Sequence, residues 1–168
     1  YLSTTNGFAN GAGTKVTASG TETGAYSATA GSLTASTTYY FKGFATNSSG
    51  TSYTSQATFS TLAASSATIN AGNVINSGGV LSFGTVTGAT TKSLFIKTTD
   101  LTNDLTVNIS GSGYSVSTSV IAKTSANNAG YTLLITFTPP SSGTFSGTLS
   151  ISSLGLTTYS IVLTGSKQ

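Results

Sequence analysis

Short stretches in which apolar residues alternate with polar ones recur along this chain of 168 residues, separated by turns rich in Gly, Asn and Ser. The alternation is plainest at residues 105–109, 131–137, 149–151 and 159–163. A period of two places every second side chain on one face of a β-strand. No stretch sustains the 3.6-residue apolar period of an amphipathic helix. The sequence therefore predicts an all-β protein built from tandem sandwiches.

The side chains of polar catalysis are almost absent. The chain has no His, no Cys and no Arg, and its only carboxylates are Glu22, Asp100 and Asp104. Charged residues make up 5% of the sequence, against about 25% in ordinary soluble domains, and Ser and Thr supply more than a third. Without His or Cys no nucleophile–base pair of the usual kind can form. We expect a non-enzymatic extracellular protein that needs no cofactor.

The distribution of charged and apolar residues argues against binding to nucleic acid and against a membrane-spanning helix. The net charge of +3 comes from scattered lysines, whereas nucleic-acid binding needs a concentrated basic surface. No apolar run reaches the roughly 18 residues of a membrane-spanning helix, and the chain starts at Tyr1 without a signal-like segment. We expect no nucleic-acid partner and no membrane span, and we interpret the chain as a mature or trimmed product, or as part of a longer one.

A small polar run at residues 62–66 separates two sets of strands. We therefore predict two modules, residues 1–62 and 63–168, joined by a short linker.

The first module contains the segment LTASTTYYFKGFATNSSGTSY at residues 33–53. This segment resembles the second half of a fibronectin type III-like domain of the kind found in surface proteins of the Bacteroidota. The resemblance implies that Leu33 fills the core, that Tyr39 is a corner tyrosine bonded to backbone, and that residues 47–50 turn the last hairpin.

Such a sandwich needs about 100 residues and seven strands, and residues 1–62 are too few. The resemblance places residues 1–4 in the third strand, so a core face lined by Leu33, Tyr39, Phe41 and Phe59 would lie open. Either upstream residues of the same polypeptide cover it, or a neighbouring subunit donates a strand. We favour the first alternative, because truncation is common.

The second module resembles immunoglobulin-like domains found late in secreted multidomain proteins of the same bacteria. The matching segments are VLSFGTV at residues 80–86, LTNDLTV at 101–107, GYSVS at 113–117 and ITFTPPSSGTFSGTLSIS at 135–152. Pro139 and Pro140 cannot donate to a β-ladder, so the preceding strand should end there. The resemblance implies about seven strands and a cargo of the type IX secretion system. No sorting tail of that system follows Gln168, and we interpret it as either cleaved or left off.

Three sets of residues are candidate sites. Asp100, Asn103 and Asp104 could supply oxygen ligands to Ca²⁺, but two carboxylates are few, and the simpler interpretation is that they cap a turn. Glu22 is interpreted as a hairpin tip on the same grounds. Tyr40, Lys42 and Phe44 should face outward from a strand that sends Tyr39, Phe41 and Ala45 into the core. They are either ordinary cross-strand neighbours or an interface for protein or sugar.

These features predict a structural or adhesive protein of a bacterial surface filament, stalk or appendage, whose partners are neighbouring modules or subunits. The alternative is a carbohydrate-binding or spacer module of a secreted enzyme, with host or environmental glycans as ligands. The absence of Trp counts against the alternative, because sugar-stacking sites usually include an indole ring.

Overall fold

The structure is a computed structural model and describes residues 1–18 and 26–168. These residues divide into two compact units, unit 1 (Tyr1–Ala63) and unit 2 (Ala64–Gln168). The prediction of an all-β protein is confirmed, because strands supply nearly all of the regular structure. The described residues form one short helix, α1 (Lys123–Asn127), and it is far too short to cross a membrane.

Unit 1 contains a three-stranded sheet and a separate hairpin. The sheet is formed by β1 (Leu2–Ser3), β2 (Thr38–Phe41) and β5 (Ala57–Ser60), in the order β1-β2-β5, with antiparallel pairs throughout. The hairpin is formed by β3 (Phe44–Asn47) and β4 (Gly50–Tyr53). Its turn is held by Asn47, whose side-chain oxygen accepts a hydrogen bond from the N–H of Ser49 at 2.9 Å. The turn therefore lies at the residues where the fibronectin type III-like resemblance put it.

Unit 2 contains two sheets. The four-stranded sheet has the order β10-β12-β8-β6, and its strands are β6 (Ser66–Asn70), β8 (Thr90–Thr99), β10 (Tyr114–Val116) and β12 (Tyr131–Phe137). The five-stranded sheet has the order β11-β9-β13-β14-β7, and its strands are β7 (Val80–Val86), β9 (Leu105–Ser110), β11 (Val120–Ile121), β13 (Gly143–Ser153) and β14 (Leu156–Lys167). All neighbours are antiparallel except β14 and β7, which run parallel.

The alternating residues of unit 2 form one continuous core between its two sheets. Side chains with no exposed surface come from both sheets, among them Leu94, Leu133 and Ile135 of the first and Leu149, Ile151, Ile161 and Leu163 of the second. Phe137 joins the two layers, with its ring centroid 4.6 Å from that of Tyr114 and 5.6 Å from that of Phe83. Strand β12 ends at Phe137, two residues before Pro139, as the missing N–H of proline requires.

The strand order of unit 2 is that of an immunoglobulin-type sandwich. Such sandwiches have strands A, B, E and D in one sheet and C, F and G in the other. The sheet of β6, β8, β12 and β10 corresponds to the first set, and β9, β13 and β14 correspond to the second. The described residues of unit 1 form the equivalent of the second set, because β1, β2 and β5 have the same order and the same antiparallel directions.

Candidate interaction surface

One face of the unit 1 sheet carries a group of large apolar side chains. Leu2 lies opposite Phe41, and Tyr39 lies opposite Phe59, so register puts all four on the same side. The Phe59 ring stacks on Tyr39 with centroids 5.7 Å apart and lies 6.1 Å from Phe41. Leu2 and Tyr39 are buried, but Phe41 and Phe59 remain 40% and 39% exposed. We call these four residues the aromatic face.

Local hydrogen bonds hold Tyr39 in place on the aromatic face. Its phenol oxygen accepts a hydrogen bond from the N–H of Thr34 at 3.0 Å, as in the corner tyrosine of the resembled family. The hydroxyl of Thr58 donates to the carbonyl of Tyr39 at 2.9 Å, which ties β5 to β2 from the opposite side. The phenol of Tyr39 is therefore held by the backbone upstream of it, and the Phe59 ring stacks on the Tyr39 ring.

An open cavity of about 710 Å³ adjoins the aromatic face. Its apolar lining comes from Leu2, Val16, Leu33 and Tyr39, and the rest is mostly glycine and hydroxyl side chains. Leu33, which the resemblance implied would fill the core, is half-buried at the wall of this cavity. The interior of unit 1, as far as the described residues form it, is therefore only partly filled.

The two edges of the unit 1 sheet differ. At the β1 edge, Leu2 exchanges two backbone hydrogen bonds with Thr14, at 2.9 and 2.7 Å. At the other edge, β5 pairs with β2 alone among the described residues, and all its residues are exposed. Unpaired backbone N–H and C=O groups at a sheet edge can bind a further strand.

Lys42, predicted to face outward as a ligand residue, is bound within unit 1. Its ammonium donates to the carbonyl of Phe8 at 2.8 Å and to the side-chain oxygen of Asn10 at 3.0 Å. It also lies 5.1 Å from the centroid of the buried Phe8 ring. The charge of Lys42 therefore holds the loop at residues 8–10 against the sheet.

Phe44 belongs to a second aromatic cluster, at the base of the hairpin. Its ring centroid is 5.0 Å from that of Tyr1 and 6.1 Å from that of its cross-strand partner Tyr53. The prediction of one continuous strand through this region is wrong, because the sheet strand ends at Phe41 and the hairpin strand starts at Phe44. Ala45, expected in the core, is consequently exposed.

Tyr40 is half-buried on the face opposite the aromatic face, in register with Ser3 and Thr58. Tyr40, Lys42 and Phe44 thus have different partners, and their contacts do not define one shared site. Glu22 lies outside the described residues.

The candidate calcium loop is held by hydrogen bonds from several parts of unit 2. The carbonyl oxygens of residues 100–104 accept them from Ser65, Asn127, Lys123 and Ser153. One of these donors is the Lys123 ammonium, a fixed positive charge at the carbonyl of Thr102. Oxygen atoms that already accept hydrogen bonds, beside an ammonium, are poor ligands for a cation.

The carboxylate of Asp104 has a structural partner. It accepts a hydrogen bond from the N–H of Lys123, the first residue of α1, at 3.0 Å, and satisfies one of the donors that a helix leaves free at its start. Asp100 and Asn103 are exposed in the same loop, and Asp100 has a φ of 57°. Within the part of the chain that the structure describes, no group of three His, Cys, Asp or Glu residues could hold a metal ion.

Sequence reasoning found the residues of the aromatic face but not the free edge beside it. Period-two alternation at Tyr39 and Phe41 predicted which side chains share a face. Strand order depends on pairing between distant segments, which leaves no local pattern. The available signal was the composition of Ala57–Ser60, which has neither the Lys nor the Pro that commonly protects an edge strand.

No protein-family model matches the chain, and no curated protein matches it in sequence. Among solved structures, it is similar to the cryo-EM reconstruction of E. coli alpha-2-macroglobulin in its native conformation, with a TM-score of 0.36 and 15% identity over 75% of this chain. This chain spans 8% of the length of that one. Similarity at this level carries no argument about function.

Proposed function

We propose that this chain is a non-enzymatic structural or adhesive module of a bacterial extracellular filament, stalk or appendage. The resemblance of residues 33–53 and 135–152 to secreted domains of the Bacteroidota, carried by the type IX secretion system, suggests the source. The chain contains no His or Cys to support the usual forms of nucleophilic catalysis. We infer that its function depends on contacts made by its surface.

The outward face of the five-stranded sheet supports a role in close packing between modules. Cross-strand neighbours on this face of β9 and β13 are Thr148 with Ser110, Ser150 with Asn108, and Ser152 with Thr106. None of these side chains is charged, so two such faces can approach without electrostatic repulsion. Their hydroxyl and amide groups can donate and accept hydrogen bonds across a contact.

The observation that carries the proposal is the aromatic face of unit 1. Two large rings, Phe41 and Phe59, are each about 40% exposed, and Phe59 lies on β5, whose outer side pairs with no described strand. Aromatic side chains that are half-exposed in one protein are common anchors of protein–protein interfaces. An adhesive or assembling module needs such an anchor.

Electron microscopy of the producing cells tests the proposal. Gold-labelled antibody against the 168-residue chain should decorate filaments or stalks outside the cell envelope. Cells treated with pre-immune serum provide the control. Label confined to the cell interior, or found only with soluble enzyme in the culture medium, would contradict a structural role.

A second candidate is a carbohydrate-binding module of a secreted enzyme. The exposed rings of Phe41 and Phe59 favour it, because aromatic faces also stack on sugars. A glycan array probed with the chain and with Phe41→Ala and Phe59→Ala variants separates the two. Binding to a defined glycan that the variants lose would favour the carbohydrate module, and an array without signal would favour the structural one.

A further inference from the structure

Two Asn–Gly pairs lie in the loop after β1, Asn6–Gly7 and Asn10–Gly11. In such a pair the backbone nitrogen of the glycine can attack the side-chain carbonyl carbon of the asparagine, because glycine has no side chain to hinder the approach. This reaction gives a succinimide ring and ammonia. All four residues are exposed, but hydrogen bonds hold the two pairs differently.

We propose that Asn10 is a site of spontaneous covalent modification, promoted by Lys42, with water as the only co-reactant. In the first step the nitrogen of Gly11 bonds to Cγ of Asn10 and the Cγ–Nδ2 bond breaks. The freed NH₂ group takes the proton of the Gly11 N–H and leaves as ammonia. In the second step water opens the ring, which leaves aspartate at residue 10 when the bond to Cγ breaks and isoaspartate when the bond to the backbone carbonyl breaks.

The attacking nitrogen is held at Gly7 and free at Gly11. The N–H of Gly7 donates to Oε1 of Gln56 at 3.0 Å, and Nε2 of the same side chain donates to Oδ1 of Asn6 at 2.8 Å. Gln56 therefore holds both reacting groups of the first pair. Within the described residues, the N–H of Gly11 donates no backbone hydrogen bond.

The turn at Asn10 is closed without using that nitrogen. The N–H of Ala12 donates to the carbonyl of Ala9 at 3.1 Å, which closes a β-turn with Asn10 and Gly11 at its centre. The bond leaves the central peptide of the turn unconstrained, and Gly11, whose φ is 78°, tolerates either sign of φ. The Asn10–Gly11 peptide can therefore rotate toward Cγ while the turn stays closed.

Lys42 contacts the side chain of Asn10 at the atom where negative charge develops. Its ammonium donates to Oδ1 at 3.0 Å, and since an ammonium cannot accept, the contacted atom is the carboxamide oxygen. This oxygen becomes an oxyanion when the nitrogen attacks. A positive charge already beside it stabilises the oxyanion more than the neutral amide, and so lowers the barrier.

The position of the Lys42 ammonium is set by a second contact. It also donates to the carbonyl of Phe8 at 2.8 Å, so the charge is in place before the reaction begins. The corresponding donor to Asn6 is the neutral amide of Gln56, which stabilises an oxyanion less than an ammonium does. Both differences favour reaction at Asn10 over reaction at Asn6.

The aspartate product keeps the contact with Lys42 and strengthens it. Hydrolysis replaces a neutral carboxamide by a carboxylate and lowers the formal net charge of +3 by one. The new carboxylate faces the Lys42 ammonium, so both partners of the hydrogen bond are then charged. We expect the modified chain to hold the loop at residues 8–10 more firmly against the sheet.

The test follows both pairs in the full 168-residue chain, incubated at mildly alkaline pH in heavy-oxygen water. Both pairs lie in one tryptic peptide, residues 1–15, because Lys15 is the first lysine. Fragmentation of this peptide by mass spectrometry assigns the new carboxylate to residue 6 or residue 10. We expect heavy oxygen at residue 10 first, with Asn6 at least about fivefold slower. A synthetic peptide of residues 1–15, in which the fold holds neither pair, should react at similar rates at both.

Two lysine variants isolate the contribution of the charge. Lys42→Met removes the ammonium and keeps an apolar side chain, so it should slow the reaction of Asn10 by about fivefold and leave Asn6 unchanged. The matched control Lys15→Met removes a lysine of the same unit that lies 5.4 Å from the Phe44 ring centroid, and should change neither rate. If Lys42→Met unfolded unit 1, Asn6 would accelerate toward its rate in the synthetic peptide, which separates loss of the fold from loss of the charge.

A third variant tests the attacking nitrogen and leaves Lys42 intact. Gln56→Ala releases the N–H of Gly7 and should accelerate the reaction of Asn6 without changing that of Asn10. Equal rates at Asn6 and Asn10 in the folded chain would overturn the proposal, and so would an Asn10 rate that Lys42→Met leaves unchanged in a folded unit 1. Loss of ammonia without uptake of heavy oxygen, with Lys42 joined to residue 10 in the peptide map, would overturn it in favour of a cross-link.

Discussion

Units 1 and 2 each contain three strands in the same order and the same antiparallel directions, and the units differ in what covers those strands. In unit 2 a four-stranded sheet closes one face and β7 closes the outer edge of β14. In unit 1 the described residues supply neither, and Phe41 and Phe59 remain about 40% exposed. A three-stranded sheet of this kind can therefore be covered by further strands, as in unit 2, or leave large apolar side chains exposed, as in the described part of unit 1.

The difference has an energetic consequence. Full burial of a large apolar side chain stabilises a fold by roughly 1.5 to 3 kcal/mol, and unit 2 buries many such side chains without any exposed surface. Among the described residues of unit 1, only Leu2, Phe8 and Tyr39 are buried large apolar side chains, and each keeps 6–9% of its surface exposed. We therefore expect unit 1 to be less stable than unit 2 and to unfold first. A ligand that covers the aromatic face should reduce the difference in the free energy of unfolding between the two units.

The largest contrast should come from removing one phenylalanine from each unit. Phe137 is fully buried among Phe83, Tyr114 and Phe145, so Phe137→Ala should lower the free energy of unfolding of unit 2 by about 3–5 kcal/mol. Phe59 is 39% exposed, so Phe59→Ala should cost unit 1 less than about 2 kcal/mol. Guanidinium titration followed by amide exchange and mass spectrometry reports on each unit separately.

A milder variant keeps this comparison measurable. Phe137→Leu retains most of the apolar volume and should cost about 1.5 kcal/mol or less, within reach if Phe137→Ala fails to fold. Equal losses in the two units, or a larger loss for Phe59→Ala, would show that unit 1 is closed as tightly as unit 2.

The space around a glycine also differs between the two units. A Cβ at Gly147 in unit 2 would meet the backbone carbonyl oxygen of Ser110 on β9, and the Tyr114 ring at 2.9 Å. Gly147→Ala should force β9 and β13 apart and cost about 1–3 kcal/mol. In unit 1, a Cβ at Gly31 meets nothing within 4 Å, so Gly31→Ala should change stability by less than about 0.5 kcal/mol.

Thermal unfolding of both glycine variants beside the unaltered chain provides the measurement. If Gly31→Ala destabilised the chain as much as Gly147→Ala, the open space around residue 31 would be filled in solution.

The alternation of apolar residues made the strands of unit 2 predictable. At residues 105–109 and 131–137, buried side chains alternate with exposed or half-buried ones, because one strand face packs on the opposite sheet. Unit 1 was less predictable at Lys42, because no alternation marks the point where the sheet strand ends and the hairpin strand begins. The prediction of one continuous strand therefore placed Ala45 in the core, whereas it is exposed.

Function-related features depended on pairing between distant segments. The parallel partner of β14 is β7, which lies far from it in sequence, and no local pattern specifies such a neighbour. For the same reason, the sequence did not predict that the outer edge of β5 is left unpaired by the described residues. The carboxylate of Asp104 was predicted to act in its own turn, whereas it caps α1 nineteen residues later along the chain.

The smallest predicted effect concerns Tyr114, whose phenol is buried in unit 2 and donates to the carbonyl of Phe145 at 3.2 Å. Burial raises the pKa of Tyr114 above its ordinary value of 10.0, because the phenolate would lose its hydration. The folded unit therefore keeps this proton to a higher pH than the unfolded chain does. The resulting contribution to stability is complete below pH 10 and is lost as the pH rises through the folded pKa.

Tyr114→Phe should consequently have two effects. Loss of the hydrogen bond should lower the stability of unit 2 by about 1 kcal/mol at neutral pH. The decline of stability above pH 10 should become shallower, because the variant has no phenol to ionise at this position. Urea unfolding of unit 2 between pH 7 and pH 11 measures both, with the exposed Tyr26→Phe in unit 1 as the control. If Tyr114→Phe kept the full decline of the unaltered chain, the phenol of Tyr114 would not be the buried group that resists ionisation, and unit 2 would be more open at this end than its core contacts indicate.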